Sequence, residues 1–175
     1  MFVPGSCERP GVLESEPGMS LGLQQSHPRS HGTVFARSAD PFSPPSIRLN
    51  FLSDDEDSRI VAECVRKSRA TFASRAKAPY SVKEISPGPD VRTDDEVIDY
   101  ARRNGRSGMH FAGTCRMGGD DASVVDPQLR VRGVAGLRVV DASVLPNCTV
   151  GNINATVVAF AERAADLIAA SARAS

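Results

Sequence analysis

The chain has 175 residues, of which 41% are hydrophobic and 24% charged, and its 21 acidic side chains balance 21 basic ones. This length suits one domain of ordinary size. A net charge of zero offers no long-range field to attract nucleic-acid phosphates or anionic membranes, so we expect no nucleic-acid partner. No run of 18 apolar residues occurs, so the sequence predicts no membrane span.

The amino-terminal stretch is rich in proline, glycine and serine and has no apolar periodicity. We therefore expect residues 1–20 to be disordered or to be an artefact of start-site choice. They do not resemble a signal peptide, because they lack an apolar central stretch. The four cysteines lie far apart and form no Cys-x-x-Cys pair, which predicts neither a disulfide framework nor a metal site and favours a cytoplasmic setting.

Two strands are predicted next. Residues 32–37 alternate and carry β-branched side chains, and residues 47–51 alternate again. Between them lie three prolines, at positions 41, 44 and 45, which cannot take part in a β-ladder. We expect a loop there.

Two helices follow, and each opens on a capping signal. Ser53 followed by Glu56 is a capping box, and apolar residues then recur at helical spacing as far as Phe72. Thr93 and Glu96 form a second box, which begins a short helix ending at Asn104-Gly105.

The last third of the chain predicts a strand, a loop and a helix in that order. Leu137 to Val140 is a short buried-strand candidate, Asp141 to Asn154 is a loop, and an apolar helix runs from about residue 154 to 170. Such an order places the start of the helix beside the carboxyl end of the strand, which is where open α/β sheets bind ligands.

His110 is the one histidine that the sequence singles out. It lies between Gly108 and Gly113, which permits tight backbone geometry, and imidazole suits general-base chemistry near neutral pH. His27 and His31 lie in a Pro/Ser-rich stretch and are interpreted as surface residues.

The second candidate cluster is Gly151-Asn-Ile-Asn-Ala-Thr156, at the start of the last helix. Its asparagines and threonine could be simple helix caps. Alternatively, the helix end could stabilise negative charge on a bound group. Asp141 and Ala142 follow the predicted strand directly, where small residues permit a cofactor to approach the backbone.

Taken together, these motifs resemble the carboxy-terminal region of the glucose–methanol–choline (GMC) family of FAD-dependent alcohol oxidoreductases. The residues that carry the resemblance are His110 with Gly113-Thr-Cys-Arg-Met-Gly118, Val124-Val-Asp-Pro127, Gly133-Val-Ala-Gly-Leu-Arg-Val-Val-Asp-Ala-Ser143, Gly151-Asn-Ile-Asn-Ala155 and Glu162-Arg-Ala-Ala-Asp-Leu-Ile168. The match extends from about Leu21 to Ile168.

The resemblance implies an α+β fold. Residues 21–108 would be a segment of the substrate-binding domain, with an antiparallel or mixed sheet and helices. Residues 109–175 would carry the histidine motif and a strand, loop and helix that complete the FAD domain.

The resemblance also implies roles. His110 would be the catalytic base, and Asn152 would hold the oxygen of a small-molecule alcohol. Asp141 and Ala142 would lie along the ribityl and phosphate part of FAD. Asn154 and Ala155 would face the pyrimidine edge of the flavin. No metal ligand is implied.

Two departures from the family pattern affect these expectations. Phe111 stands where the family usually has proline after the histidine. The chain also contains no Gly-x-Gly, so it lacks the amino-terminal Rossmann part with its glycine-rich phosphate loop. We expect tight FAD binding to require that part, supplied in a longer protein or by a complementary chain, and no activity from the isolated chain. The alternative is an inactive remnant or an interaction module.

Overall fold

The computed structural model describes residues 2–9, 12–81 and 83–173. Six short strands and three α-helices occur there. The strands are β1 (Phe2–Val3), β2 (Cys7–Arg9), β3 (Val12–Leu13), β4 (Ser20–Leu21), β5 (Thr33–Phe35) and β6 (Ser46–Arg48). The helices are α1 (Asp55–Phe72), α2 (Asp94–Asn104) and α3 (Asn154–Arg173). The fold is α+β, as predicted.

The strands form three antiparallel pairs, β1 with β4, β2 with β3 and β5 with β6. The β5–β6 pair lies where alternation predicts strands, with Val34 opposite Ile47. The other two pairs, formed by β1 to β4, lie almost wholly within residues 1–20, where composition led us to expect disorder. That stretch has no apolar periodicity, so the sequence holds no strand signal there.

Contacts divide the chain into two compact units. The first comprises Met1–His31 and Asn50–Arg106, and the second comprises Gly32–Leu49 and Ser107–Ser175. The predicted domain limits at residues 20 and 108 stay predictions.

The first unit is built on helices α1 and α2. Its buried core contains Ala62 and Val65 of α1 and Val97 of α2. The second capping box is confirmed, because Thr93 accepts a hydrogen bond from the Glu96 amide while the Glu96 side chain accepts from the Thr93 amide.

The cap predicted at Ser53 is shifted by one residue. Asp54 caps α1 and accepts from the Glu56 amide at 2.9 Å. The Ser53 hydroxyl is engaged elsewhere, because it accepts a hydrogen bond from Asn50 Nδ2 at 3.0 Å. Two oxygen-bearing side chains lie next to each other here, and the one that is not engaged by Asn50, Asp54, is the cap.

The second unit packs α3 against a set of loops. Its core consists of Val125, Leu129, Val144 and Ala164, all at most 1% exposed. The strand predicted at Leu137 to Val140 is reduced to an isolated bridge between Arg138 and Arg130. Leu137 is 50% exposed rather than buried. A strand needs a continuous ladder with a neighbour, and in the described residues this stretch pairs only with the short segment around Arg130.

Candidate functional site

His110 lies in a loop whose backbone is held in an unusual conformation. Met109, directly before it, has φ +58°, and Gly113 has φ +86°. The Met109 amide donates to Ser107 Oγ at 2.9 Å, which helps to fix this turn. The side chain of His110 is half-buried. Glycine suits such a conformation, whereas methionine pays about 1 kcal/mol or more for it, so the surrounding structure holds the turn in place.

Asn152 is presented in a similar way. Gly151 before it has φ +107°, and no atom lies within 4 Å of the place where a Cβ would stand. Ile153 after it is buried, at 9% exposed, and anchors the loop to the unit. Asn152 itself is exposed. The loop therefore turns the asparagine outward between a glycine turn and a buried isoleucine.

The structure brings these two residues together. His110 Nε2 and Asn152 Oδ1 are 3.0 Å apart, although the residues are 42 positions apart in the chain. An amide oxygen only accepts, so Nε2 is the donor in this arrangement. The pair offers one imidazole and one carboxamide at a surface that a small molecule can reach.

Three further hydrogen bonds join the two loops. The Cys115 amide donates to the Ser143 carbonyl and the Met117 amide to the Val144 carbonyl, each at 2.9 Å. The Cys148 thiol donates to the His110 carbonyl at 3.5 Å. The position of the pair is thus set by the backbone of the loops as well as by its own contact.

The sequence analysis assigned Cys148 no part in this site. It is half-buried, and its thiol contacts the backbone of the predicted base. Its position four residues before Asn152 was the available signal. Thr149, next to it, has a buried hydroxyl with no hydrogen-bond partner in the described part of the chain.

Asp141 and Ala142 lie at the beginning of the loop that leads to Asn152. Asp141 is exposed, and its Oδ1 accepts from the Ser143 amide at 2.8 Å, which starts a short 3-10 turn at Ala142–Val144. The carboxylate therefore has a local structural role. No contact joins either residue to His110 or Asn152 in the described residues.

Asn154 and Ala155 form the first turn of α3, and both are exposed. The first amide with an acceptor at this end is that of Val157, which donates to the Ile153 carbonyl at 2.9 Å. The amides of residues 154–156 find no acceptor among the described residues. Free amides at a helix start attract negatively polarised oxygens, and the small Ala155 side chain leaves room for a flat ring. These features are compatible with the flavin edge that the family resemblance implies for the two residues.

A wide cleft of about 900 Å³ lies elsewhere in the same unit, along residues 130–138 and the last turn of α3. None of the six predicted site residues lines it. In the described ranges, no group of three or more His, Cys, Asp or Glu side chains could hold a metal ion. Nor does any helix there have the length and apolar character needed to cross a bilayer.

Comparison with known proteins gives the same family along most of the chain. A sequence model of the family described as GMC oxidoreductase matches residues 28–161. An oxygen-dependent choline dehydrogenase from Staphylococcus aureus is 42% identical over 154 residues, which is 86% of this chain and 27% of the relative. The chain thus spans about a quarter of the length of the curated relatives it matches.

Solved structures agree. Pyridoxine 4-oxidase from Mesorbium loti superposes with a TM-score of 0.75 at 33% identity, over 81% of this chain and 28% of that one. A FAD-dependent oxidoreductase from Chaetomium thermophilum gives 0.76 at 34% identity, over 84% and 26%. Formate oxidase from Aspergillus oryzae gives 0.70 at 35%, over 80% and 25%. The fold, the motif around His110 and the length of the match lead to one conclusion, that this chain belongs to the GMC oxidoreductase family.

Proposed function

We propose that this chain is the carboxy-terminal, catalytic portion of a FAD-dependent oxidoreductase that acts on the CH–OH group of alcohols. The observation that carries the proposal is the 3.0 Å contact between His110 and Asn152, two residues from distant parts of the sequence that the fold brings to one surface. Membership of a family whose solved members include a FAD-dependent oxidoreductase supports it.

His110 would accept the hydroxyl proton of the substrate. A neutral imidazole exchanges between tautomers, so Nε2 becomes an acceptor when a hydroxyl takes the place of the Asn152 oxygen. Proton removal raises electron density on the alcohol oxygen, which helps the carbon to release hydride. General-base assistance of this kind contributes roughly 10²–10⁴-fold to a rate.

Asn152 would hold and orient the alcohol oxygen. Its carboxamide carries both a donor and an acceptor, so it can bond the hydroxyl before the proton moves and the carbonyl oxygen afterwards. Because Gly151 and Ile153 fix its loop, this contact costs little ordering when substrate binds.

FAD, when bound, supplies the acceptor for the hydride. Asn154 and Ala155 would hold the pyrimidine edge through the free amides of α3, whose positive dipole end favours negative charge there. Asp141 and Ala142 would lie beside the ribityl and phosphate part. We propose that tight FAD binding needs the glycine-rich segment that this chain lacks, from a longer protein or a complementary chain. The separated cysteines support a cytoplasmic setting.

The first test is the visible spectrum of the purified chain with added FAD. We expect no bound flavin from the chain alone. A chimera in which residues 28–161 replace the matching part of the Staphylococcus aureus relative should bind flavin and lose its yellow colour when alcohol is added without oxygen.

In that chimera, His110→Ala should reduce kcat roughly 10²–10⁴-fold. Asn152→Ala should act mainly through substrate positioning, and Asn152→His, which keeps a hydrogen-bonding side chain at that place, should retain more activity than Asn152→Ala. A chimera that binds flavin but leaves it oxidised with every alcohol would contradict the proposal and favour the inactive remnant.

A further inference from the structure

The cleft of about 900 Å³ that runs along residues 130–138 and the last turn of α3 carries an unusual set of charges. The charged side chains of its lining are three arginines and one aspartate, namely Arg130, Arg132, Arg138 and Asp126. Apolar surface lies among them, since Leu137 is 50% exposed and Ile168 is 39% exposed. No residue that the proposed function uses belongs to this lining.

The backbone places two of these arginines directly opposite each other. Arg130 and Arg138 form an antiparallel bridge, and beside it the Val131 amide donates to the Leu137 carbonyl at 2.9 Å. Residues paired in this way have Cβ atoms about 5 Å apart on one face of the ladder. Like charges at such positions repel each other. Nearby negative charge would therefore stabilise this part of the fold.

Arg132 is held by neutral oxygens. Its Nε donates to Ser123 Oγ and its Nη2 to the Gly118 carbonyl, each at 2.9 Å. Among the described residues, no carboxylate forms a salt bridge with it and its Nη1 has no hydrogen-bond partner. The two bonds orient the planar guanidinium and leave its charge unpaired.

Arg138 is held in the same way, although it is half-buried. Its Nη2 donates to Ser171 Oγ at 3.1 Å, and its Nη1 has no partner in the part of the chain that the structure describes. The negative end of the α3 dipole favours a cation here and offsets about half a charge. Asp126 pairs with Arg130, at 2.7 Å between Oδ2 and Nη2. The lining therefore keeps an excess of positive charge.

We propose that this cleft binds the phosphate group of a small organic phosphate ester. Two fixed guanidinium groups with free Nη1 donors suit the oxygens of a phosphate, which accepts paired hydrogen bonds and carries up to a double negative charge. The cleft is far larger than a phosphate group alone, and Leu137 and Ile168 offer apolar surface to the organic part. This inference goes beyond the proposed function and does not depend on it.

Titration of the purified chain in phosphate-free buffer tests the proposal. Phenyl phosphate carries both parts of the ligand, inorganic phosphate carries the anion alone and phenol the ring alone. The Nε–H signals of Arg132 and Arg138 in nuclear magnetic resonance spectra report on the cleft. We expect phenyl phosphate to shift both signals saturably, inorganic phosphate to bind severalfold more weakly and phenol to leave both signals unchanged. No saturable shift with phenyl phosphate, or an equal response to phenol, would overturn the proposal.

Two substitutions should change the affinity in opposite directions. Arg132→Gln removes a charge and keeps a donor, so it should weaken phenyl phosphate binding about tenfold. Asp126→Asn removes the carboxylate of the cleft and keeps the Oδ1 that accepts from the Gln128 amide. It should tighten binding severalfold, which a misfolded variant would not do. Arg37→Gln, at an exposed position of the same unit outside the lining, is the control and should leave the Kd unchanged.

An equal loss of affinity in Arg132→Gln and Arg37→Gln would show only a general effect of net charge and would overturn the proposal. Unchanged or weaker binding in Asp126→Asn would overturn it as well. Each of these outcomes leaves the function proposed for His110 and Asn152 intact.

Discussion

At the scale of single residues, Asp57 is a buried carboxylate that hydrogen bonds hold in its charged form, and the sequence alone gives no sign of this role. It is 1% exposed on the first turn of α1. Burial alone would raise the pKa of its carboxyl. Hydrogen bonds from the Arg29 amide, the Ser30 hydroxyl and amide, and the Gln25 side chain outweigh that effect and lower the pKa to about 2. The charged carboxylate fastens the segment around residues 25–30 to the helix.

We therefore expect Asp57→Asn to destabilise the chain by about 2–3 kcal/mol at neutral pH, because an amide leaves several donors without an acceptor. The folded pKa lies below the usual value of 3.8, so the charged form stabilises the fold above about pH 4. This contribution is lost as pH falls towards 2. Urea unfolding across that range should show the difference between wild type and variant shrinking with acidity.

Asp55→Asn is the matched control, since Asp55 lies in the same first turn but is exposed. Asp55 interacts with the helix dipole as Asp57 does, but the hydrogen bonds from residues 25–30 go to Asp57. An equal loss of stability from both substitutions would assign the effect to the dipole.

At Thr149 we expect a substitution to stabilise the chain. Its hydroxyl is buried and has no hydrogen-bond partner in the described part of the chain, which costs free energy. Thr149→Val keeps the shape and removes the unpaired group, so it should stabilise the chain by about 1 kcal/mol in thermal or urea unfolding. Thr114→Val, at an exposed position, should have little effect. A clear loss of stability in Thr149→Val would show that the hydroxyl has a partner in solution.

At the scale of elements, the helices were predictable because their signals are local. The start of α2 is marked by the capping box of Thr93 and Glu96. Its end is marked by Gly105, which follows the last helical residue. The strands β1 to β4 were not predictable, since their stretch shows no apolar alternation and they pair through contacts that no local pattern indicates.

The candidate site, too, was predictable only where its signals are local. His110 could be singled out because glycines flank it, and Asn152 because its cluster begins the last helix and because of the family resemblance. The contact between them depends on the fold of the whole unit, and so does the hydrogen bond from Cys148 to the His110 backbone. Sequence identified the residue types, and the structure supplied their proximity.

The cap of α2 yields a prediction of its own. Thr93→Ala removes the acceptor for the Glu96 amide and should destabilise the chain by about 1 kcal/mol. Thr93→Ser keeps a hydroxyl at that place and should retain most of the stability. Chemical unfolding followed by circular dichroism distinguishes them, and equal stabilities of Ala and Ser variants would show that the cap contributes nothing.

At the scale of the whole molecule, the chain exposes many large apolar side chains. On the β5–β6 pair alone, Phe35 is 64% exposed and Ile47 58%. Outside this pair, Tyr80 is 73% exposed. Exposed apolar surface favours association, whether with the rest of a larger protein or with other copies.

We expect the purified chain to self-associate in a concentration-dependent way, as sedimentation velocity would show. Replacing Phe35 and Ile47 together by threonine keeps the strand propensity and should reduce the association. The control is the single substitution Tyr80→Thr, at an exposed position outside the β5–β6 pair. A monodisperse monomer at high concentration would contradict the expectation, and so would equal association of both variants.

Backbone hydrogen bonds join the loop of His110 to the loop that leads to Asn152. The backbone bonds from Cys115 to Ser143 and from Met117 to Val144 belong to no reactive side chain. A substitution at His110 or Asn152 would therefore remove a group from the proposed site and leave these backbone attachments in place. In the proposed mechanism, a folded but reactionless variant is one substitution away.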